Sequence, residues 1–236
     1  MQRAKDRAID IVLKADNAEE TLQMAKDKLN YFYEHLVFAS LDLGVRKGRA
    51  LDLGTQAGLC AIALAKQDYA FEITNFQDSV KAIAMGRKFA EREVVEEKIR
   101  WAAGKQESLP FADHSFDLVI SGFDMHHWEN PVEVFNEIAR VLKTNGALLV
   151  GDLRRDAFTP VAPLLKAASY LTQKDRLYQE LKHSFASAYL RSEIAGLVGE
   201  SGLKGMGAQT SKDVQFVYVT REREGKKHVL VEIASP

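Results

Sequence analysis

An α/β domain built on a parallel sheet is what this sequence predicts, and three observations carry the prediction. Short apolar runs alternate with amphipathic stretches from Arg49 to Asp152, and a glycine-bearing turn follows the first of those runs. A chain of 236 residues, 46% of them hydrophobic, is long enough to bury one sizeable core. Alternating strands and helices imply right-handed crossovers, which set the strands parallel and put helices on both faces.

The composition excludes several classes outright. With 9% aromatic and 28% charged residues the chain is not disordered, collagen-like or a disulfide scaffold. Thirty-two basic residues against thirty-three acidic ones leave a net charge of −1, so no overall positive field recruits nucleic acid or acidic lipid. The one cysteine, Cys60, excludes an internal disulfide framework and a zinc site built from several thiolates, and no metal is expected. Met1 to Arg7 leads into no apolar segment of secretory type, and no run is long enough to cross a bilayer; a cytoplasmic protein with no membrane partner is the expectation.

Each element has its own signal. Asp16-Asn17 reads as an N-cap, and Leu22, Ala25, Leu29, Phe32, Leu36 and Val37 then recur at helical spacing. Arg49 to Leu53 is a strand stopped by Gly54, and Leu59 to Lys66 is a helix of small residues. Ala70 to Thr74 reads as a strand, Ser79 to Glu93 as a helix, and Ile99 to Ala102 and Phe116 to Ser121 as strands. Val132 to Leu142 is an amphipathic helix, and Ala147 to Asp152 a strand opened by Asn145-Gly146. Ala157 to Leu190, with Pro160 and Pro163, reads as a helical insertion. Ser192 to Glu200 is helical, Val214 to Thr220 is a strand, and a charged turn from Arg221 to Lys227 joins it to Val229 to Ile233 in a closing hairpin. The whole is expected to be a single domain over 1–236: a helical cover at 1–44, a core at 45–153, an insertion at 154–190 and a C-terminal helix and hairpin at 191–236.

The segment Leu51-Asp52-Leu53-Gly54-Thr55-Gln56-Ala57-Gly58 carries the most chemistry. A glycine turn after the first parallel strand lets backbone approach a ligand, and the next helix offers free N–H groups at its positive end. Two later segments stand at matching distances: Leu109-Pro110-Phe111 leading into Phe116-Asp117-Leu118-Val119-Ile120, and Trp128-Glu129-Asn130-Pro131 leading into Glu137-Ile138-Ala139-Arg140-Val141-Leu142. Together these resemble class I S-adenosylmethionine-dependent methyltransferases, in the branch acting on small molecules. The resemblance is close over Ala50 to Asp152 and loose from Ser192 to Ile233. It implies a Rossmann-like sheet of seven strands, mostly parallel with an antiparallel last strand, and S-adenosyl-L-methionine as cofactor across the carboxyl ends of the first strands. It implies further that Asp52, Gly54, Thr55, Gln56 and Gly58 border the methionine part and Ser121 the reacting face. The implied activity is methyl transfer to a small-molecule acceptor by in-line displacement. Asp124, His126 and His127 follow the fourth strand, where the acceptor would stand, and a histidine suits proton removal from a hydroxyl or thiol; a packed, hydrogen-bonded loop is the plainer reading.

Several positions depart from the family pattern. Gln56 replaces a second loop glycine. At the end of the second strand, where an acid receives both ribose hydroxyls, the sequence places Phe76 or Asn75, and one of these is expected to contact ribose or adenine. Lys105, with Gln106 beside it, stands where an Asp meets the adenine amino group; Glu72, Asp78 and Glu107 are the nearby carboxylates. These departures keep two alternatives open: a non-catalytic or regulatory module of the same fold, and an enzyme with a modified nucleotide cofactor. Asp117 reads as a turn or capping residue. Arg154 and Arg155 are either an anion clamp or a surface pair, and Cys60 is expected to be buried and inert. The two covers, Ala18 to Ser40 and Thr159 to Tyr189, are expected to meet over the cofactor's methyl group and set acceptor choice through Tyr33, Tyr178 and Tyr189. The alternative role for the N-terminal helix is packing on the sheet or forming a homodimer.

Overall fold

The computed structural model describes residues 32–54, 57–157, 182–212 and 216–221. Its frame is a seven-stranded sheet in the order β3-β2-β1-β4-β5-β7-β6. The strands are β1 (Lys47–Leu53), β2 (Ala70–Gln77), β3 (Ile99–Ala103), β4 (Phe116–Gly122), β5 (Leu142–Leu153), β6 (Gln209–Lys212) and β7 (Phe216–Arg221). Strands β1 to β5 pair in parallel, whereas β7 runs antiparallel to both β5 and β6. The alternation of strands and helices therefore produces the parallel core it implies, and the last strand reverses.

Helices cover both faces. On one lie α1 (32–42), α2 (Leu59–Ala65) and α3 (Val80–Arg92), packed on a core that includes Leu36, Ile62, Phe89, Leu118 and Leu149. On the other lie α4 (Pro131–Val141) and α6 (Arg191–Glu200), over Leu51, Phe76, Phe116, Phe135 and Val219; a short helix α5 spans 182–187. Helix α3 starts because the Ser79 hydroxyl accepts from the Ala82 N–H at 3.2 Å, and its apolar positions Ala82, Met85, Phe89 and Ala90 fall on one buried stripe. Helix α4 opens with Pro131 in its first turn, where no N–H is needed.

The C-terminal hairpin differs from the expectation. The strand foreseen from Val214 to Thr220 is β7, the antiparallel last strand, and its hairpin partner is Gln209–Lys212, which precedes it. Gln-Thr-Ser-Lys has no apolar alternation to mark it; pairing with β7 is what makes it a strand. Val229 to Ile233, the Asp16-Asn17 cap and most of the insertion after β5 lie outside the described residues. Strand β5 also begins earlier than Ala147, at Leu142, because that residue already pairs with Phe116.

Two glycines in helices make opposite demands. A methyl group on Gly86 would meet the Ala57 carbonyl oxygen at 2.4 Å and the Trp101 ring at 2.6 Å, whereas nothing lies within 4 Å of one on Gly196. Alanine favours a helix over glycine by about 1 kcal/mol, and overpacking costs about 1–3 kcal/mol. Gly196→Ala should thus raise the melting temperature by about 2–4 °C and Gly86→Ala should lower it, both read by thermal unfolding.

Candidate active site

The carboxyl ends of β1, β2, β4 and β5 meet where the strand order reverses, on either side of β1. At the end of β1 a single oxygen of Asp52, Oδ2, accepts from the Ala61 N–H at 2.9 Å and from Asn75 Nδ2 at 3.0 Å. Asp52 thereby ties the strand to the first turn of α2 and to β2. Ala57 and Gly58 both take left-handed backbone, with φ 51° and 68°, and a Cβ on Gly58 would stand 2.6 Å from the Trp101 ring. Only glycine fits that contact, so the turn lies directly on the indole. Gly54 closes the edge by donating its N–H to the Phe76 carbonyl. Thr55 and Gln56 lie outside the described residues.

At the end of β2 the structure redistributes the expected roles. Phe76 points to the opposite face, fully buried and edge-on to Phe111 with ring centroids 5.5 Å apart. Asn75 is engaged on both sides, donating to Asp52 and accepting from Gln77 Nε2 at 2.7 Å. The residue that ends the strand is Gln77, fully buried, whose Oε1 has no hydrogen-bond partner among the described residues. Gln77 lies one position beyond Phe76 and two beyond Asn75. The signal that locates it is Ser79: as the cap of α3 it leaves Gln77 as the final strand residue.

Beyond β3, Lys105 is exposed and Gln106 is buried. Gln106 Nε2 donates to Asp124 Oδ2 at 2.8 Å, and Trp128 Nε1 donates to the same oxygen at 2.7 Å, while Gln106 Oε1 is left without a partner. Ser121, near the end of β4, is fully buried and its hydroxyl is likewise unpartnered. Asp124 itself is wholly buried, so its first task is to hold the loop carrying Gln106 and Trp128 against β4. Asp78 stands at the rim, where burial and then Asp124 raise its pKa. Glu72 is exposed on β2, and Glu107 is partly exposed.

His126 and Asp152 form a buried pair. His126 Nδ1 lies 2.7 Å from Asp152 Oδ1, the His126 backbone N–H donates to Oδ2 at 2.8 Å, and the Leu153 N–H donates to Oδ1. The carboxylate thus orients the imidazole through Nδ1, and His127 stacks on it with ring centroids 3.9 Å apart. Neighbouring arginines form no anion clamp: Arg154 pairs with Asp156, and Arg155 with Glu193 and the Ala188 carbonyl. Asp117 lies at the opposite end of the sheet, within β4, accepting from the Arg49 N–H of β1 and pairing with Lys143, so it braces strands where a turn or cap was expected. Cys60 is buried. No group of His, Cys, Asp and Glu among the described residues is arranged to hold a metal ion.

Burial pushes the Asp52 carboxyl up to about 7, against the two N–H bonds that pull it down. The folded protein then holds a proton that the unfolded chain releases from about pH 4 upward, so stability falls as pH rises from about 4 to 7. Asp52→Asn keeps an oxygen for both bonds and removes the titration. Between pH 5 and 7.5 the wild-type chain should lose on the order of 2 kcal/mol more unfolding free energy than this variant, as read from denaturant titrations; parallel profiles would contradict the assignment.

Comparison with known proteins agrees with this architecture. A family model described as a methyltransferase domain matches residues 51–150. The Methanocaldococcus jannaschii protein MJ1123 is 30% identical over 77% of this chain and 78% of its own length. A demethylmenaquinone methyltransferase of Beutenbergia cavernae is 27% identical over 84% and 81%. The methyltransferase YcgJ of Bacillus subtilis is 33% identical, but over 50% of this chain and 44% of its own, so the match spans less than half of that relative. Among solved structures, the Methanococcus maripaludis protein mmp1179 superposes with a TM-score of 0.67 at 18% identity, covering 97% of this chain and 100% of that one. No helix among the described residues is long and apolar enough to cross a membrane. With the domain model matching its core and a relative aligned along most of both chains, the protein belongs to the class I S-adenosylmethionine-dependent methyltransferase family.

Proposed function

We propose that the protein transfers a methyl group from S-adenosylmethionine to a small-molecule acceptor in a cytoplasmic setting. The observation that carries this reading is a set of buried polar atoms at the sheet's carboxyl edge without partners among the described residues: Gln77 Oε1, Gln106 Oε1 and the Ser121 hydroxyl. Buried acceptors without donors are costly in an empty protein, and a ligand rich in hydroxyl and amino donors would satisfy them. The residues therefore fit a nucleoside: Gln77 toward a ribose hydroxyl, Gln106 toward the adenine amino group, and the turn from Gly54 to Gly58 beside the methionine part. The cofactor brings a sulfonium methyl that is already activated, so the chain mainly excludes water and aligns a nucleophile, a service worth about 7–11 kcal/mol.

His126, oriented by Asp152, and the adjacent His127 are the groups proposed to take a proton from an acceptor that arrives as a hydroxyl, thiol or acidic carbon. Asp124 supports them by fixing the loop on which they stand. The Beutenbergia relative makes hydroxylated aromatic and quinol compounds the first acceptors to screen.

Both tryptophans of the chain, Trp101 and Trp128, lie at this edge, so their fluorescence should report ligand entry. Titration should show binding of S-adenosylmethionine and of its demethylated product, and labelled methyl groups should reach an acceptor in the screen. A chain that binds neither ligand is not a methyltransferase. One that binds both and methylates nothing in the screen is the regulatory module instead.

A carboxylate at position 77 would receive both ribose hydroxyls, and a hydrogen bond to a charged group contributes about 1.5–3 kcal/mol. It would also face the Asn75 carbonyl oxygen without the N–H that now bonds it. Gln77→Glu should therefore tighten S-adenosylmethionine about tenfold while lowering the melting temperature of the ligand-free protein, measured by calorimetry and thermal unfolding.

A further inference from the structure

Helix α1 delivers a buried polar atom that no described residue bonds. Tyr33 stands in its first described turn, only 2% exposed, and its hydroxyl has no hydrogen-bond partner among the described residues. The ring is held edge-on against Phe123, with centroids 5.6 Å apart and planes at 79°, and against Phe32 at 5.8 Å. Phe123 takes left-handed backbone (φ 56°) and donates its N–H to the Gly151 carbonyl, which fixes it where β4 gives way to the loop bearing Asp124. The helix is pressed down at that point: a Cβ on Gly122 or Gly151 would stand 2.9 or 2.7 Å from Leu36. Tyr33 is therefore positioned by packing, not by its hydroxyl, and a phenylalanine would fill the same space.

The surroundings say what the hydroxyl faces. Burial raises the phenol's pKa most, and the Cys60 thiol and the carboxylates of Asp52, Asp124 and Asp152 raise it further, so the group is a neutral hydroxyl among acids at the ends of three strands. Acids near the hydroxyl favour a cationic N–H donor beside it over a neutral one. Along the edge, Gln77 ends β2 and Gln106 follows β3, while Tyr33 packs on Phe123, the residue after β4.

Resting on the cofactor reading above, we infer that Tyr33 is a positioning residue for the amino-acid half of S-adenosylmethionine, its hydroxyl oxygen accepting an N–H from the cationic ammonium. The two glutamines hold the nucleoside half. Helix α1 thus contributes to cofactor binding, in addition to any part in acceptor choice, and it stores in the ligand-free fold a buried hydroxyl that the cofactor satisfies.

Tyr33→Phe separates these roles, because it keeps the packing and removes one atom. Affinity for S-adenosylmethionine should fall about tenfold or more, whereas affinity for 5′-methylthioadenosine, which keeps the nucleoside and lacks the charged half, should stay within about twofold. The melting temperature of the ligand-free variant should equal or exceed that of the wild type. Calorimetry and thermal unfolding read all three. Unchanged affinity for S-adenosylmethionine, an equal loss for both ligands, or a lower ligand-free melting temperature would each overturn the assignment. A wild-type protein that binds neither ligand would overturn the cofactor reading itself, which is a different failure.

Discussion

The reversal of strand order at β1 is the constraint on which everything else depends. Right-handed crossovers carry the chain outward from β1 to β2 and β3 along one direction, then back across to β4 and β5 along the other. The helices on the two sides of that reversal diverge, and the carboxyl ends of β1, β2, β4 and β5 are left facing a common space. Residues distant in sequence, Asp52, Gln77, Ser121 and Asp152, stand along one edge for that reason alone.

Three aspartates organise that edge, each in the same manner. Asp52 binds the start of α2 and Asn75; Asp124 binds Gln106 and Trp128; Asp152 binds His126 through its backbone and its ring. In each case buried carboxylate oxygens are met by N–H donors from another segment, which is how an acid is tolerated in a core. The carboxylates are thus spent on fixing loops, and the groups left to meet a ligand are amides, hydroxyls and an imidazole. Neutral groups in this role bind less tightly than acids but cost less to bury.

The later motifs have a physical link that explains why they occur together. Arg140 on α4 donates to the carbonyls of Leu109 and Phe111, pairs with Glu137 and reaches Asp113, while Glu137 accepts from the Leu109 N–H. The Leu109-Pro110-Phe111 loop is therefore clamped by α4, and Phe111 packs between Phe76 and Phe116 beneath the edge. Glu137 is held below the usual carboxylate range chiefly by its hydrogen bonds from Arg140. Two stretches that look independent in the sequence are one structural unit.

Local signals suffice for the alternation of strands and helices, the glycine turn and the family: apolar periodicity, a cap such as Ser79, and a position such as Gly58 that only glycine can occupy. They also place His126, His127 and Asp124 after β4, since strand ends are legible from apolar runs. The partner of each polar atom, by contrast, is set by contacts between distant segments. Phe76 and Gln77 differ by one residue, yet strand alternation sends the first into the far core and leaves the second at the edge. Gln209–Lys212 is a strand only because β7 lies beside it. Tyr33 reads as one aromatic among several in an amphipathic helix; its place against Phe123, with a buried hydroxyl that no described residue bonds, depends on packing between segments that no local pattern records.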